Sequence, residues 1–305
     1  MKILVTGGTV FASRYTAEYF TRRGNEVYVL NRGNSPQSEG VHHIRADRHA
    51  PGNALKNIRF DAVLDITAYN ENDVRLLHEA LGEYGVYVFV SSSAVYPETL
   101  PQPFSESQEC GANSIWGAYG IDKLAAEKSI TANVYDSYII RPPYLYGPMN
   151  NLYREAFVFE CAEKGLPFYV PGSGDMKMQF FHIDDMCRFI GILINERPAE
   201  RIFNVGSSEM TDILTWAELC YRIAGKTPQF VHVDKIIPQR SYFPFYDYEY
   251  ELDVSLQQKY MKDTLPLSEG LSASYEWYKN NRELVRRKPL LDYISEYLEK
   301  IAENT

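Results

Sequence analysis

No stretch of this 305-residue chain approaches the ~20 consecutive apolar residues of a membrane-spanning helix, which excludes a spanning segment. Cysteine is scarce: Cys110, Cys161, Cys187 and Cys220 lie far apart, with no Cys-x-x-Cys. That spacing suits the reduced thiols of a cytoplasmic protein better than a zinc site or a disulfide framework. A surplus of positive charge is missing too. With 31 basic against 40 acidic side chains the formal charge is −9, which opposes a nucleic-acid partner bound through clustered Lys and Arg. The one dense basic run, Arg282, Arg286, Arg287 and Lys288, is expected on a solvated helix face. The opening MKILVTGG passes from a short apolar run straight into glycine, which predicts no secretory leader. No repeat or low-complexity tract occurs. What is present is apolar: 45% of residues are hydrophobic, enough to offset chain entropy and build a core. The length suggests about two domains, at ~100–200 residues each.

The first third alternates. Lys2–Thr6 is a continuous apolar run ending in Gly7-Gly8, as in a strand buried on both faces. Helical spacing follows over about 13–23, with Gly24 as its stop. Strands are expected at 26–30, 62–66 and 86–91, with a polar helix around 71–83. This predicts an α/β fold, a doubly wound, Rossmann-like parallel sheet over residues 1–165 with a return segment near 178–206. Residues 166–305 are expected to form mainly a smaller, mixed substrate domain. Helical patterns return around 216–224 and from Leu271 to the end, and 238–251 is rich in Tyr and Phe. Those aromatics suit stacking on a base or sugar, or packing between domains.

Two segments carry chemistry. In the first, a strand, a glycine turn and a helix start occupy residues 2–13; free N–H groups at a helix start attract phosphate, and glycine admits a pyrophosphate. In the second, Tyr119-Gly-Ile-Asp-Lys123 sets a phenol and an ammonium on one helix face. A phenol near pKa 10 is a poor base, and a neighbouring ammonium favours its phenolate. The same spacing recurs at Tyr275 and Lys279, assigned to a surface helix because no hydroxyl-ended strand precedes it. His182 with Asp184 and Asp185 makes a poor ligand set, so no metal is expected.

These segments resemble the extended short-chain dehydrogenase/reductase family of NAD-dependent epimerase/dehydratase type. Further likeness lies in Ser91-Ser92-Ser93-Ala94-Val95-Tyr96, Ile140–Pro148, Phe180–Asp185, Phe203–Gly206 and Leu252–Ser255. Of the family's Gly-x-x-Gly-x-x-Gly only Gly7 matches. Val10 and Ser13 replace the other two, with a β-branched side chain facing a phosphate and looser helix-on-strand packing as the expected consequences. The resemblance implies catalysis by Tyr119, Lys123 and Ser92. It implies cofactor contacts from Gly7, Thr9, Val10, Phe11, Asn31, Arg32, Asp47, Ile66, Thr67, Ala68, Ser91, Lys123 and Pro142. Asn31 beside Arg32, where an acid would select NAD, favours NADP over NAD.

Ser93, Tyr144, Lys177 and Arg240 are the implied substrate contacts. Dehydratases of the family carry an acid where Ala94 stands, which disfavours 4,6-dehydration. The expectation is an NAD(P)-dependent epimerase or oxidoreductase acting on a sugar or nucleotide-sugar hydroxyl or ketone, as a cytoplasmic homodimer. The alternatives are an NADPH-dependent carbonyl reductase of a non-nucleotide substrate and a non-catalytic or RNA-associated relative.

Overall fold

The structure is a computed structural model describing residues 1–134, 136–234 and 236–300. In chain order its strands are β1 (Lys2–Thr6), β2 (Glu26–Asn31), β3 (His42–Arg45), β4 (Phe60–Asp65), β5 (Tyr84–Val90), β6 (Ser137–Arg141), β7 (Tyr144–Tyr146), β8 (Phe168–Pro171), β9 (Lys177–His182), β10 (Ile202–Asn204), β11 (Met210–Asp212) and β12 (Phe230–Val233). The helices are α1 (Phe11–Arg22), α2 (Glu71–Ala80), α3 (Ala118–Asn133), α4 (Glu155–Lys164), α5 (Ile183–Glu196), α6 (Ile213–Ile223), α7 (Ser255–Gln258), α8 (Leu267–Asn280) and α9 (Leu290–Tyr293). None of the described helices is long and apolar enough to cross a membrane.

The chain divides into two compact units. The first comprises Met1–Leu145, Phe180–Ser208 and Glu251–Leu265. Its sheet has seven parallel strands in the order β10-β6-β5-β4-β1-β2-β3. The central strands are apolar on both faces because helices cover both: Ile3, Leu4, Val5, Val63, Leu64, Val86, Val88 and Phe89 are all buried. Edge strand β3 reads His-His-Ile-Arg and is largely exposed, so it carries little apolar signal. Strand order reverses between β2-β1 and β4, which opens a crevice at the carboxyl ends there. Polar side chains fix where helices begin: Asn70 caps α2 by accepting from the N–H of Asp73 at 3.0 Å, and His182 caps α5 by accepting from that of Asp184 at 3.2 Å.

The second unit comprises Tyr146–Gln179, Glu209–Tyr250 and Pro266–Thr305. Within it β12 pairs parallel with β8, and β11 pairs antiparallel with the start of β9. The aromatic stretch turns out to be this unit's own core. Tyr242, Phe243, Phe245 and Tyr250 are buried, with Trp216 5.2 Å from Phe245 and 6.3 Å from Phe243. The basic run is no helix face. Arg282 opens a 3-10 turn and Arg287 lies in the following loop, paired at 2.6 Å with Glu163 and 3.3 Å with Glu160 of α4. The C-terminal helix expected from Leu271 onward breaks after Asn280, and its last five positions lie outside the described residues.

Candidate functional site

The glycine turn leaves β1 with two left-handed residues, Gly7 at φ +87° and Gly8 at φ +88°. Both need glycine. A Cβ on Gly7 would sit 2.8 Å from Ser13 Oγ and Thr67 Cγ2, and one on Gly8 2.5 Å from Val29 of β2. Ser13 is buried, and its hydroxyl donates to the Val10 carbonyl at 2.9 Å. The packing at this position is therefore tight, where a looser helix-on-strand contact was expected. Val10 keeps an exposed side chain at the mouth of the turn, and Phe11 begins α1 at φ +31°, a strained value for a non-glycine residue. No side chain caps α1 and no acid stands in its first turn. Its first N–H groups therefore remain suited to an anion, which fits a dinucleotide pyrophosphate.

At the end of β2, Asn31 is tied to the turn: its amide donates to the Gly7 carbonyl at 2.7 Å, and its carbonyl oxygen accepts from the Gly33 N–H at 2.9 Å. Arg32 is exposed, and its own carbonyl accepts from Arg45 Nε at 3.3 Å. His43 lies 3.2 Å from the Asn31 carbonyl. This corner is cationic. Asp47 accepts from the His49 N–H at 2.9 Å in the loop after β3.

A buried network missing from the sequence reading lies beneath the loop after β4. Asp65, fully buried, accepts from Thr6 at 2.7 Å, Tyr87 at 2.6 Å, and both terminal nitrogens of Arg48 at 3.2 and 3.1 Å. Burial would raise its carboxyl, but Arg48 and these donors hold it below the usual carboxylate range. The N–H groups of Ile66 and Thr67 donate to Thr6, that of Ala68 to Asp65 and that of Tyr69 to Asp73. Thr67 also accepts from Arg48 at 2.9 Å. The loop 66–69 is thus fixed by side chains below it. The available signal was a carboxylate ending an otherwise apolar strand, which a buried position permits only with a partner.

Lys123 lies on α3, with its side chain buried. Its ammonium donates to the carbonyls of Ala68 at 2.7 Å and Val90 at 2.9 Å, leaving one of three N–H groups for a ligand or phenol oxygen. Burial lowers its pKa from 10.5 to about 8, against the charges of Asp65 and Glu127. Tyr119, one turn earlier, is 38% exposed and so accessible to a substrate. Ser92, two residues beyond β5, accepts from the Ala94 N–H at 3.2 Å, starting the 3-10 turn Ser93–Val95. Gly120 joins the two pieces. An added Cβ there would collide with the Ala94 carbonyl oxygen, so α3 sits backbone to backbone on the turn that follows Ser92.

Ser91, Ser93, Pro142 and Tyr144 lie inward of this. The Ser91 hydroxyl donates to Glu127, which also takes a bidentate contact from Arg141. Ser93 donates its N–H to the Pro142 carbonyl at 3.0 Å, and the buried Tyr144 ring lies 6.2 Å from Trp116. Lys177 and Arg240 belong to the second unit. Lys177 is exposed at the start of β9, and the Arg240 guanidinium donates to the Pro244 carbonyl 4.6 Å from the Tyr246 ring centroid. Asp184 accepts from Tyr15 at 3.0 Å and Asp185 from Arg188 at 2.6 Å. Among the described residues no group of His, Cys, Asp and Glu is arranged to hold a metal ion. Tyr275 and Lys279 pair instead with Glu163 and Glu276 on α8's own surroundings.

A family model for the NAD dependent epimerase/dehydratase family matches residues 3–206. Among curated proteins, the chain is 27% identical over 299 residues to the chloroplast stem-loop binding protein of 41 kDa b of Arabidopsis thaliana, covering 90% of this chain and 78% of that one. It is 26% identical to the 2'-dehydrokanamycin reductase of Streptomyces kanamyceticus, covering 73% of this chain and 66% of the reductase. Among solved structures, a UDP-glucuronic acid 4-epimerase from Bacillus cereus, in complex with UDP-glucuronic acid and NAD, superposes with a TM-score of 0.71 at 21% identity. The match covers 92% of this chain and 99% of the epimerase.

Proposed function

The chain belongs to the NAD dependent epimerase/dehydratase family, and from that premise we propose that it is an NAD(P)-dependent epimerase or oxidoreductase acting on a sugar or nucleotide-sugar carbinol. What supports this most is the seating of α3 on the turn after Ser92, which keeps Tyr119, Lys123 and Ser92 in one locality at the carboxyl end of β5.

Gly7, Thr9, Val10 and Phe11 would hold the pyrophosphate, and Ile66–Ala68 would line the nucleotide's path. Asn31, Arg32 and Asp47 would meet the adenosine end. The bound nicotinamide would supply and accept hydride. The Tyr119 phenolate takes the hydroxyl proton from the substrate carbinol and returns it to the ketone oxygen. Lys123, positive below its pKa of about 8, favours that phenolate at neutral pH. The Ser92 hydroxyl donates to the reacting oxygen as its charge develops. Ala94 offers no proton to a leaving hydroxyl, so epimerisation and carbonyl reduction fit better than dehydration. Ser93 and Tyr144 are the candidate substrate contacts of the first unit, and Lys177 and Arg240 those of the second.

Arg32, exposed beside Arg45, supports NADP as cofactor, because a guanidinium matches a 2′-phosphate. The four cysteines are free thiols, which agrees with a cytoplasmic setting, and a homodimer remains part of the reading. The test is titration of the purified chain with NADPH and NADH, followed by nicotinamide fluorescence. Saturable uptake with NADPH tighter is expected, and Arg32→Asp, an exposed change, should reverse the order. Absence of uptake of either nucleotide refutes the proposal.

One observation favours a second reading: the plant relative aligned over 90% of this chain is named for stem-loop binding. The charge of −9 opposes it. RNA retention that falls steeply with salt, without nicotinamide uptake, would establish it in place of the first.

A further inference from the structure

Tyr69 ends the loop 66–69 above Asp65, and its side chain has no role in the proposed mechanism. It is 58% exposed, more than any other tyrosine among the exposed large side chains of the first unit, although aromatic rings tend to be covered. Its position is not loose. Its N–H donates to Asp73 at 2.8 Å, and its ring stands edge-to-face with that of Tyr119, centroids 6.2 Å apart. The Lys123 ammonium lies 5.4 Å from the centre of the Tyr69 ring and 4.8 Å from that of Phe89. Phe89, on β5, is fully buried and serves as a floor. Tyr69 is the aromatic cover on the solvent side. Lys123 is only 4% exposed although its neighbour Tyr119 is accessible.

We propose that Tyr69 is a positioning residue for the Tyr119–Lys123 pair: its ring roofs the ammonium against water and buttresses the edge of the Tyr119 ring. The deduction rests on the catalytic reading for its purpose but on contacts alone for its substance. A roofed ammonium exerts more of its field on a neighbouring phenolate, because water no longer screens it. A ring face also stabilises the cation directly, which partly offsets the desolvation. The outer part of the Tyr69 ring remains open to solvent, and Tyr119 beside it is itself 38% exposed.

The charged groups around Lys123 are Asp65 at the end of β4, Arg48 in the loop after β3, Asp73 on α2 and Glu127 on α3. None is altered by changing Tyr69, so its effect on the lysine can be isolated. The exposed position also means that the change should leave the fold intact.

The experiment titrates the lysine side chains by ε-carbon NMR in the full chain without nucleotide, with the Lys123 resonance assigned by its loss in Lys123→Met. In Tyr69→Ala water reaches the ammonium, and the Lys123 pKa should rise from about 8 toward 10.5 by about one unit, tenfold in proton affinity. Tyr69→Phe keeps the ring and should titrate as the parent does. An unchanged Lys123 titration in Tyr69→Ala, or a rise equally large in Tyr69→Phe, overturns the proposal. A purely structural role would lower the melting temperature without moving this one resonance. If the parent chain takes up no nicotinamide nucleotide, the catalytic reading fails, while the Tyr69–Lys123 coupling is still decided by the titration.

Discussion

Replacing Gly120 by alanine separates the proposed seating of α3 from an ordinary helix surface by the sign of its effect. Alanine is favoured over glycine in a helix by about 1 kcal/mol, so on an open face Gly120→Ala would stabilise the protein. Here the new methyl meets the Ala94 carbonyl oxygen, with the Ala94 carbonyl carbon 3.2 Å away. That obstacle is backbone, not the end of a flexible side chain. The turn is held by N–H donation from Ser93 to Pro142 at 3.0 Å and from Tyr96 to Ser93 at 3.2 Å, so it cannot easily retreat. Overpacking of this kind costs about 1–3 kcal/mol; set against the helix gain, a net loss of roughly 1 kcal/mol is expected, with a melting temperature lower by a few degrees. Gly191 on α5 supplies the control, since an added Cβ there meets nothing within 4 Å. Gly191→Ala should therefore stabilise by up to about 1 kcal/mol. Urea unfolding of both variants decides the matter. If Gly120→Ala stabilises as much as Gly191→Ala does, α3 is not seated on the Ser92 turn as described, and the reasoning about the site fails with it.

Two further outcomes concern buried charge. Asp65→Asn removes the bidentate carboxylate of the Arg48 guanidinium and leaves it Asp73 at 3.9 Å, so the loss in urea unfolding should approach, from below, the ~3–5 kcal/mol of a broken buried pair; a loss below about 1 kcal/mol would mean the pair does not hold the loop after β4. Because the native Asp65 carboxyl lies below its ordinary 3.8, its contribution is present above that pH and is lost as pH falls through the folded value. His182 has a folded pKa lowered by burial from 6.5 to about 4, so the unfolded chain binds its proton first on acidification. Stability should therefore fall between pH 6.5 and 4, by roughly 3 kcal/mol from this group. His182→Asn, which retains a capping side chain, should flatten that slope; an equal slope in parent and variant would show that His182 is not its source.

The central sheet was legible because its strands are apolar on both faces and short glycine-marked turns separate them from helices. β1 runs from Lys2 to Thr6 as expected, and β2, β4 and β5 lie within two residues of their expected starts. Edge strand β3 gave no such signal, because His42, His43 and Arg45 face solvent where nothing demands apolar side chains. Periodicity also overstated the C-terminal helix, whose pattern continues past the break at Asn281.

A candidate site could be named from sequence only where residue type and spacing coincide. Tyr119 and Lys123 stand one turn apart, a spacing that recurs at Tyr275 and Lys279 and is told apart only by the hydroxyl-ended strand upstream of the first pair; Arg48, Asp65 and Tyr87 come from three separate segments, and only folding brings them together. The aromatics around Tyr242 show the opposite failing. Their density suited ligand stacking and packing between domains alike, whereas burial against Trp216 makes most of them the second unit's own core.

A crystal structure of the chain grown with NADPH tests the proposed site most directly. The prediction is a nicotinamide in the crevice at the carboxyl ends of β1 and β4, with Lys123 on its ribose. The Ser92 and Tyr119 hydroxyls should converge within ~3–3.5 Å of one point beside the ring, as a reacting oxygen requires. A nucleotide held elsewhere, or those two hydroxyls facing different cavities, would contradict it.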